Sequence, residues 1–261
     1  KQKRGDLRQF SLGLLTTKEL AIPLCSYVYE GNVGDVSAFP KYLELLKERI
    51  GNYTDAADIT LIYDNGSVSK KNLEQLKVQN PQIHYVCAFS TSSCKDLLDI
   101  PYDDYKTITI HEDKEVLCYR ITKDIWDGPK ECILIFSEDL YEGQYKDLMR
   151  SIEKKKQKLK ELKEAFKNPK SRISKKVKDI DARIQKIIKG NFGESIFKID
   201  KTGVEIVEDI EFSINYDVMQ GICKKHYGKR MIISDQASWT TEEIIEAYWD
   251  QISIESIFKD T

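Results

Sequence analysis

Ile59-Thr60-Leu61-Ile62-Tyr63 form a short, almost wholly apolar run that stops at Asp64-Asn65-Gly66. A strand that alternates polar and apolar residues shows one face to water, whereas a continuous apolar run is covered on both faces. Such a run predicts a central strand in a layered α/β core. The neighbouring sequence agrees. Residues 10–16 and 21–29 are strand-like and joined by the turn-like TKEL, which predicts a hairpin. An amphipathic helix over Phe39 to Ile50 follows, with Leu43, Leu46 and Ile50 on one side. A second helix runs from Lys70 to Val78 with Ser69 at its N-cap. Pro81 then separates it from a strand over Ile83 to Phe89.

From Tyr102 the texture changes. Thr107 to Ile110, Val116 to Ile121 and Ile133 to Phe136 are short strands expected in a separate sheet. A long charged helix over 139–167 ends at Asn168-Pro169, and a second helix covers 174–189. Strands are expected at 196–199 and 204–214, a short helix at 217–226 and a last strand at 230–234. The expected organisation is therefore a core of 1–100 and 229–261, split by an α+β insertion at 101–228. Thr240 and Glu243 fit a capping box that opens a final helix. Eleven residues at about 100° each return to within about 20°. Glu255 therefore shares the face of Ile244, an acid on the side meant for the core.

The chain has 41 Lys+Arg against 43 Asp+Glu, so a uniformly basic nucleic-acid binder is excluded. The distribution is far from even. Residues 151–190 hold 13 Lys and 2 Arg against 5 acids, a net +10, which leaves -12 for the remainder. Ile152, Leu159, Leu162 and Phe166 make a packing stripe, and the other faces are lysine-rich. Lys154, Lys155, Lys156, Lys158 and Lys160 form the densest run. They are candidates for contact with DNA phosphates, and a solvated helical pair is the alternative.

No apolar run approaches the ~20 residues of a membrane span. The six cysteines show no CxxC spacing, which predicts reduced, structural thiols and a cytoplasmic location. His84 and Cys87 fall on opposite faces of their strand and cannot share a metal there. Trp239, just before the last helix, is expected to pack.

Two acids stand out. Asp64 lies where a buried strand runs into a turn, the end of a sheet at which ligand sites collect. Its alternative role is a turn Asp bonding its own backbone. Glu255 could instead pair with Lys259 on a helix surface. Two inward-facing carboxylates suit a hard divalent cation, Mg²⁺, with Mn²⁺ as the alternative.

The stretch RGDLRQFSLGLLTTKELAIPLCSYVYEGNVGDVSAF, with Gly31-Asn32 and Asp35 as a GN-x-x-D element, resembles DDE transposases of bacterial insertion sequences (the IS4-like superfamily). LIYDNGSVSKKNLEQL resembles their second-acid block, and WTTEEIIEAYWDQISIESIFKDT their third-acid helix, with Tyr248 and Glu255 on its pattern. Gln251 and Asn65 depart from it, each standing where the family has Arg. The resemblance implies an RNase H-like mixed sheet flanked by helices, with an insertion before the last acid helix. It implies double-stranded DNA as substrate, at transposon ends and target, and a homodimer in a synaptic complex. Asp64 and Glu255 would be catalytic metal ligands, and Tyr248 would contact DNA phosphate, with simple packing as its alternative. The family's first catalytic Asp lies on a strand upstream of the first residue here, so a fragment with little activity of its own is expected. The alternative expectations are an inactive DNA-binding or interaction protein derived from a transposase, and an unrelated metal-dependent nuclease.

Overall fold

The computed structural model describes residues 8–18, 22–50, 59–79, 81–126, 128–168 and 171–251. The chain divides into two compact units, Lys1–Phe136 with Arg230–Thr261, and Ser137–Lys229.

In the first unit, β1 (Phe10–Thr16) and β2 (Pro23–Glu30) form the expected antiparallel hairpin. It is a two-stranded sheet of its own. One face lies against α1 (Asp35–Ile50): a methyl group on Gly13 would stand 2.3 Å from Cε2 of Tyr42, so only glycine lets the ring approach. The opposite face exposes Phe10, Leu12 and Val28. After α1 come β3 (Ile59–Tyr63), α2 (Lys70–Gln79) and β4 (Ile83–Phe89), the last two where the periodicity predicts them. Ser69 Oγ accepts from the Asn72 N–H at 3.1 Å, which makes Ser69 the cap of α2.

β5 (Lys106–Ile110), β6 (Lys114–Ile125) and β7 (Gly128–Phe136) follow as an antiparallel meander. These strands are not a separate sheet. They continue the core sheet, whose order is β3-β4-β10-β7-β6-β5, with β10 (Lys229–Ser234) from the end of the chain between β4 and β7. The second unit accordingly begins at Ser137, not near residue 101. The difference has a physical source: β5 and the ends of β6 alternate in burial, like strands of a half-solvated sheet, although β6 pairs with β7, which is buried over residues 130–135.

The sheet is mixed, with β3 parallel to β4 and β4 antiparallel to β10. Its two faces separate by residue parity. Tyr85, Cys87, Cys132, Leu134, Met231 and Ile233 pack with Phe39, Leu43 and Leu46 of α1 and Leu73 and Leu76 of α2. Val86, Ile133, Ile135 and Ile232 point the other way, onto Ile244 and Ile245 of the last helix. β3 is covered on both faces as its composition predicts, by Phe39 against Tyr63 on one side and by the Ile62 cluster on the other. It is nevertheless the end strand of the sheet among the described residues, not a central one. Composition reports what lies above and below a strand, not how many neighbours stand beside it.

The second unit has its own core. α3 (Glu138–Lys167) is 30 residues long and capped by Ser137, whose hydroxyl accepts from the Leu140 N–H at 3.3 Å. α4 (Val177–Ile188), α5 (Gly193–Ile196), the antiparallel pair β8 (Phe197–Thr202) and β9 (Asp209–Ile214), and α6 (Tyr216–His226) complete it. Ile152, Leu159, Leu162 and Phe166 form the buried stripe of α3, facing Ile180, Ile184 and Ile188 of α4. The last helix of the chain, α7 (Thr241–Trp249), belongs to the first unit. Among the described residues no helix is long and apolar enough to cross a membrane.

Candidate functional site

Asp64 leaves β3 into a single 3₁₀ turn over Asn65–Ser67. Its carboxylate Oδ1 accepts the Asn65 N–H at 2.7 Å, the self-capping geometry expected of a turn Asp. A second donor reaches the same oxygen. The Tyr248 hydroxyl, 184 residues further along, donates to it at 3.3 Å. The turn after β3 and the last helix therefore converge, through Tyr248. Asp64 itself is exposed.

Tyr248 packs, and its hydroxyl also meets Asp64. Its ring packs with Trp239 and Trp249 against the Ile244 face of the sheet, while its hydroxyl lies on the carboxylate. Burial is the largest influence on the phenol, and the negative charge and hydrogen bond of Asp64 add to it. Together these push the phenol up to about 12, against a smaller opposing effect from Arg230. Arg230, the exposed second residue of β10, is thus part of the local electrostatics. Sequence reading missed it because nothing local links it to Asp64; only the insertion of β10 beside β4 does.

α7 is held in place along its length. The Thr240 hydroxyl accepts the Glu243 N–H at 3.2 Å and the Glu243 carboxylate accepts the Thr240 N–H at 2.7 Å, which completes the predicted capping box. Arg120 Nη1 donates to the Trp239 carbonyl at 2.8 Å, and its Nε lies 2.6 Å from Glu131 Oε2. Burial alone would raise the Glu131 carboxyl, but hydrogen bonds from Thr122 and Arg120 outweigh it and hold the group below its ordinary value. The Glu246 carboxylate accepts the His111 N–H at 2.6 Å, and the Lys114 ammonium stands 4.4 Å from the centre of the Trp249 ring. At the far end, Asp250 pairs with Lys18 at 3.0 Å. Trp239 packs as predicted.

Glu255 lies outside the described residues. Among the described residues no group of three or more His, Cys, Asp or Glu side chains could hold a metal ion. Cys87, Cys94, Cys118, Cys132 and Cys223 are buried and Cys25 is half-buried, all as free thiols.

The lysine run on α3 is heterogeneous. Lys154, Lys158 and Lys160 are exposed. Lys156 pairs with Glu153 at 3.1 Å. Lys155 lies down on the unit: its ammonium donates to Ser151 Oγ at 3.2 Å, and its stem is so close to Gly193 that a methyl group there would meet Cε at 2.7 Å. Burial, with a smaller contribution from Lys158, lowers its pKa against the opposing charge of Glu194. Lys163 pairs with Glu211, and Lys201 with Asp181, so part of the unit's charge is neutralised internally.

Comparison with models of protein families, with curated proteins and with solved structures yields no match to this chain.

The site geometry predicts a specific alkaline behaviour. The unfolded phenol ionises near 10 and Tyr248 in the folded protein near 12, so its contribution to stability is complete below pH 10 and is lost as pH rises through 12. Asp64→Asn should move the Tyr248 titration, followed by ¹³C-tyrosine NMR and assigned with Tyr248→Phe, back towards 10. A Tyr248 midpoint that does not move at all in Asp64→Asn would show that the Asp64 charge does not reach the phenol.

Proposed function

We propose that this chain is the catalytic region of a DDE-type transposase with an RNase H-like core, acting on double-stranded DNA by Mg²⁺-dependent phosphoryl transfer. The observation that supports this most is the Tyr248–Asp64 hydrogen bond at 3.3 Å. It joins the two sequence blocks that the resemblance pairs, the sheet-end aspartate and the helix that leads to Glu255. Asp64 and Glu255 are the proposed carboxylate ligands of Mg²⁺ or Mn²⁺. The cation would offset charge developing at phosphorus and lower the barrier to attack by water and then by a DNA 3′-hydroxyl. Tyr248 holds the Asp64 carboxylate on one oxygen. Arg230 adds positive charge near the Tyr248 hydroxyl.

Lys154, Lys158 and Lys160 are the proposed phosphate contacts of the second unit, since they are the members of the run that project into solvent. Lys155 and Lys156 are proposed contacts of lower weight, being engaged with Ser151 and Glu153. On this reading the protein works as a homodimer on paired DNA ends and resides in the cytoplasm with the nucleoid. A second reading, a DNA-binding protein without cleavage activity, is favoured by the exposed Lys154, Lys158 and Lys160, which need no carboxylate site to meet phosphate.

Nicking separates the two readings. Extended at its amino end by a strand bearing Asp, and given Mg²⁺, the chain should nick duplex DNA. Asp64→Asn should lower that activity by about a hundredfold or more, the usual scale for losing a catalytic electrostatic partner. Cleavage that never appears leaves only the binding role, and cleavage that survives Asp64→Asn removes Asp64 from the proposed catalytic site.

The lysine contacts are tested separately by DNA affinity against salt concentration. Lys154→Glu, Lys158→Glu and Lys160→Glu should each flatten the plot of log affinity against log salt by about one unit of slope. An unchanged slope in all three would exclude these residues as phosphate contacts.

A further inference from the structure

Proline inside a helix removes the N–H that should reach the carbonyl four residues back. In α1 that proline is Pro40, and the carbonyl it leaves without its helical donor belongs to Val36. The carbonyl is not left unmet. The side-chain amide of Asn72, from the first turn of α2, donates to it at 2.9 Å. The same Nδ2 donates at 2.9 Å to the carbonyl of Ser67, the last residue of the turn that follows Asp64. Asn72 is one of the few buried polar side chains of the unit, 2% exposed.

A second brace runs between the same parts. The Tyr29 hydroxyl donates to Asp35 Oδ1 at 2.8 Å, and Asp35 opens α1. The other carboxylate oxygen lies over the turn, where a methyl group on Gly66 would stand 2.9 Å from it. Glycine at 66 is thus set by close approach and not by backbone conformation. Asp35 is also the last residue of the GN-x-x-D element.

We infer that Asn72 is the positioning residue for Asp64: with one amide group it satisfies the carbonyl orphaned by Pro40 and fastens the turn that presents the carboxylate. α1, α2 and the Asp64 turn then move as one piece, so the carboxylate is aimed by buried contacts although it is itself exposed. The catalytic importance of this brace rests on the proposed role of Asp64; the brace itself does not.

The test uses amide hydrogen exchange on the intact chain, read at Asn65, Ser67 and Val68, whose N–H groups bond within the turn. Asn72→Ala should lower the denaturation midpoint and speed exchange at these three amides by about tenfold or more, the scale of one lost buried hydrogen bond. Val86 and Cys87 in β4 are the core reference. Pro40→Ala added to Asn72→Ala returns an N–H to the Val36 carbonyl. The double variant should regain stability while the turn amides stay fast, because Ser67 still lacks its partner. Should Asn72→Ala alone fail to fold, the double variant decides. Turn amides that keep wild-type protection, or that recover together with stability in the double variant, would overturn the inference. These amides report the turn whether or not the protein cuts DNA. Failure of the extended chain to nick DNA, alongside the expected exchange pattern, would therefore refute the phosphoryl-transfer reading and leave the role of Asn72 standing.

Discussion

The insertion of β10 between β4 and β7 is the constraint from which the candidate site follows. The strand comes from the far side of the second unit in sequence, yet it occupies the middle of the six-stranded sheet. Its alternate residues, Met231 and Ile233 on one face and Ile232 on the other, belong to both hydrophobic layers. Side chains lock its end in register. The Asp235 carboxylate accepts the Tyr85 N–H, Ser234 Oγ donates to the Tyr85 carbonyl, and Gln236 reaches Thr60 on β3. A one-residue slip would exchange the two faces and expose the core. With β10 fixed, the chain leaves the sheet at one place only, and α7 begins where Arg120 can hold the Trp239 carbonyl.

The electrostatics follow from that placement. Glu131 is a buried charge, costly unless partnered, and it is partnered by Arg120 and Thr122. The pair extends its hold to the loop before α7. A buried ion pair is weak support for stability but fixes a geometry well, because either partner alone would be left uncompensated. Here the geometry it fixes is the approach of Tyr248 to Asp64. The aspartate is thus served from two directions: by α7 through Tyr248, and from beneath by Asn72 and Asp35 through the turn.

Much of this was legible in the sequence. Period-two and period-3.6 patterns located β4, β10, α2, α3 and α6 to within a residue or two, and the Thr240–Glu243 spacing announced its capping box. The parts that were not legible depend on contacts distant in sequence. β3 has the composition of a central strand but stands at the end of the sheet. β5 to β7 read as a separate sheet because the strand that joins them to β4 lies about a hundred residues later. The apolar spacing predicts α1 from Phe39, whereas the helix starts at Asp35, and the Asn72 amide meets the Val36 carbonyl that Pro40 leaves without its helical donor. Asp64 carries a local signal, a turn carboxylate after a buried run, whereas Arg230 and Asn72 carry none. The lysine run was legible as charge, but the sequence did not distinguish Lys155, which packs against Gly193, from Lys158, which faces solvent.

On the proposed reading, Asp64 and Glu255 together hold a divalent cation. Mn²⁺ binding by electron paramagnetic resonance tests it without requiring DNA or catalysis. The account predicts a bound Mn²⁺ signal that is competed by Mg²⁺ and is lost in both Asp64→Asn and Glu255→Gln. Mn²⁺ binding that persists unchanged in both variants, or that is absent from the unaltered protein, would contradict it.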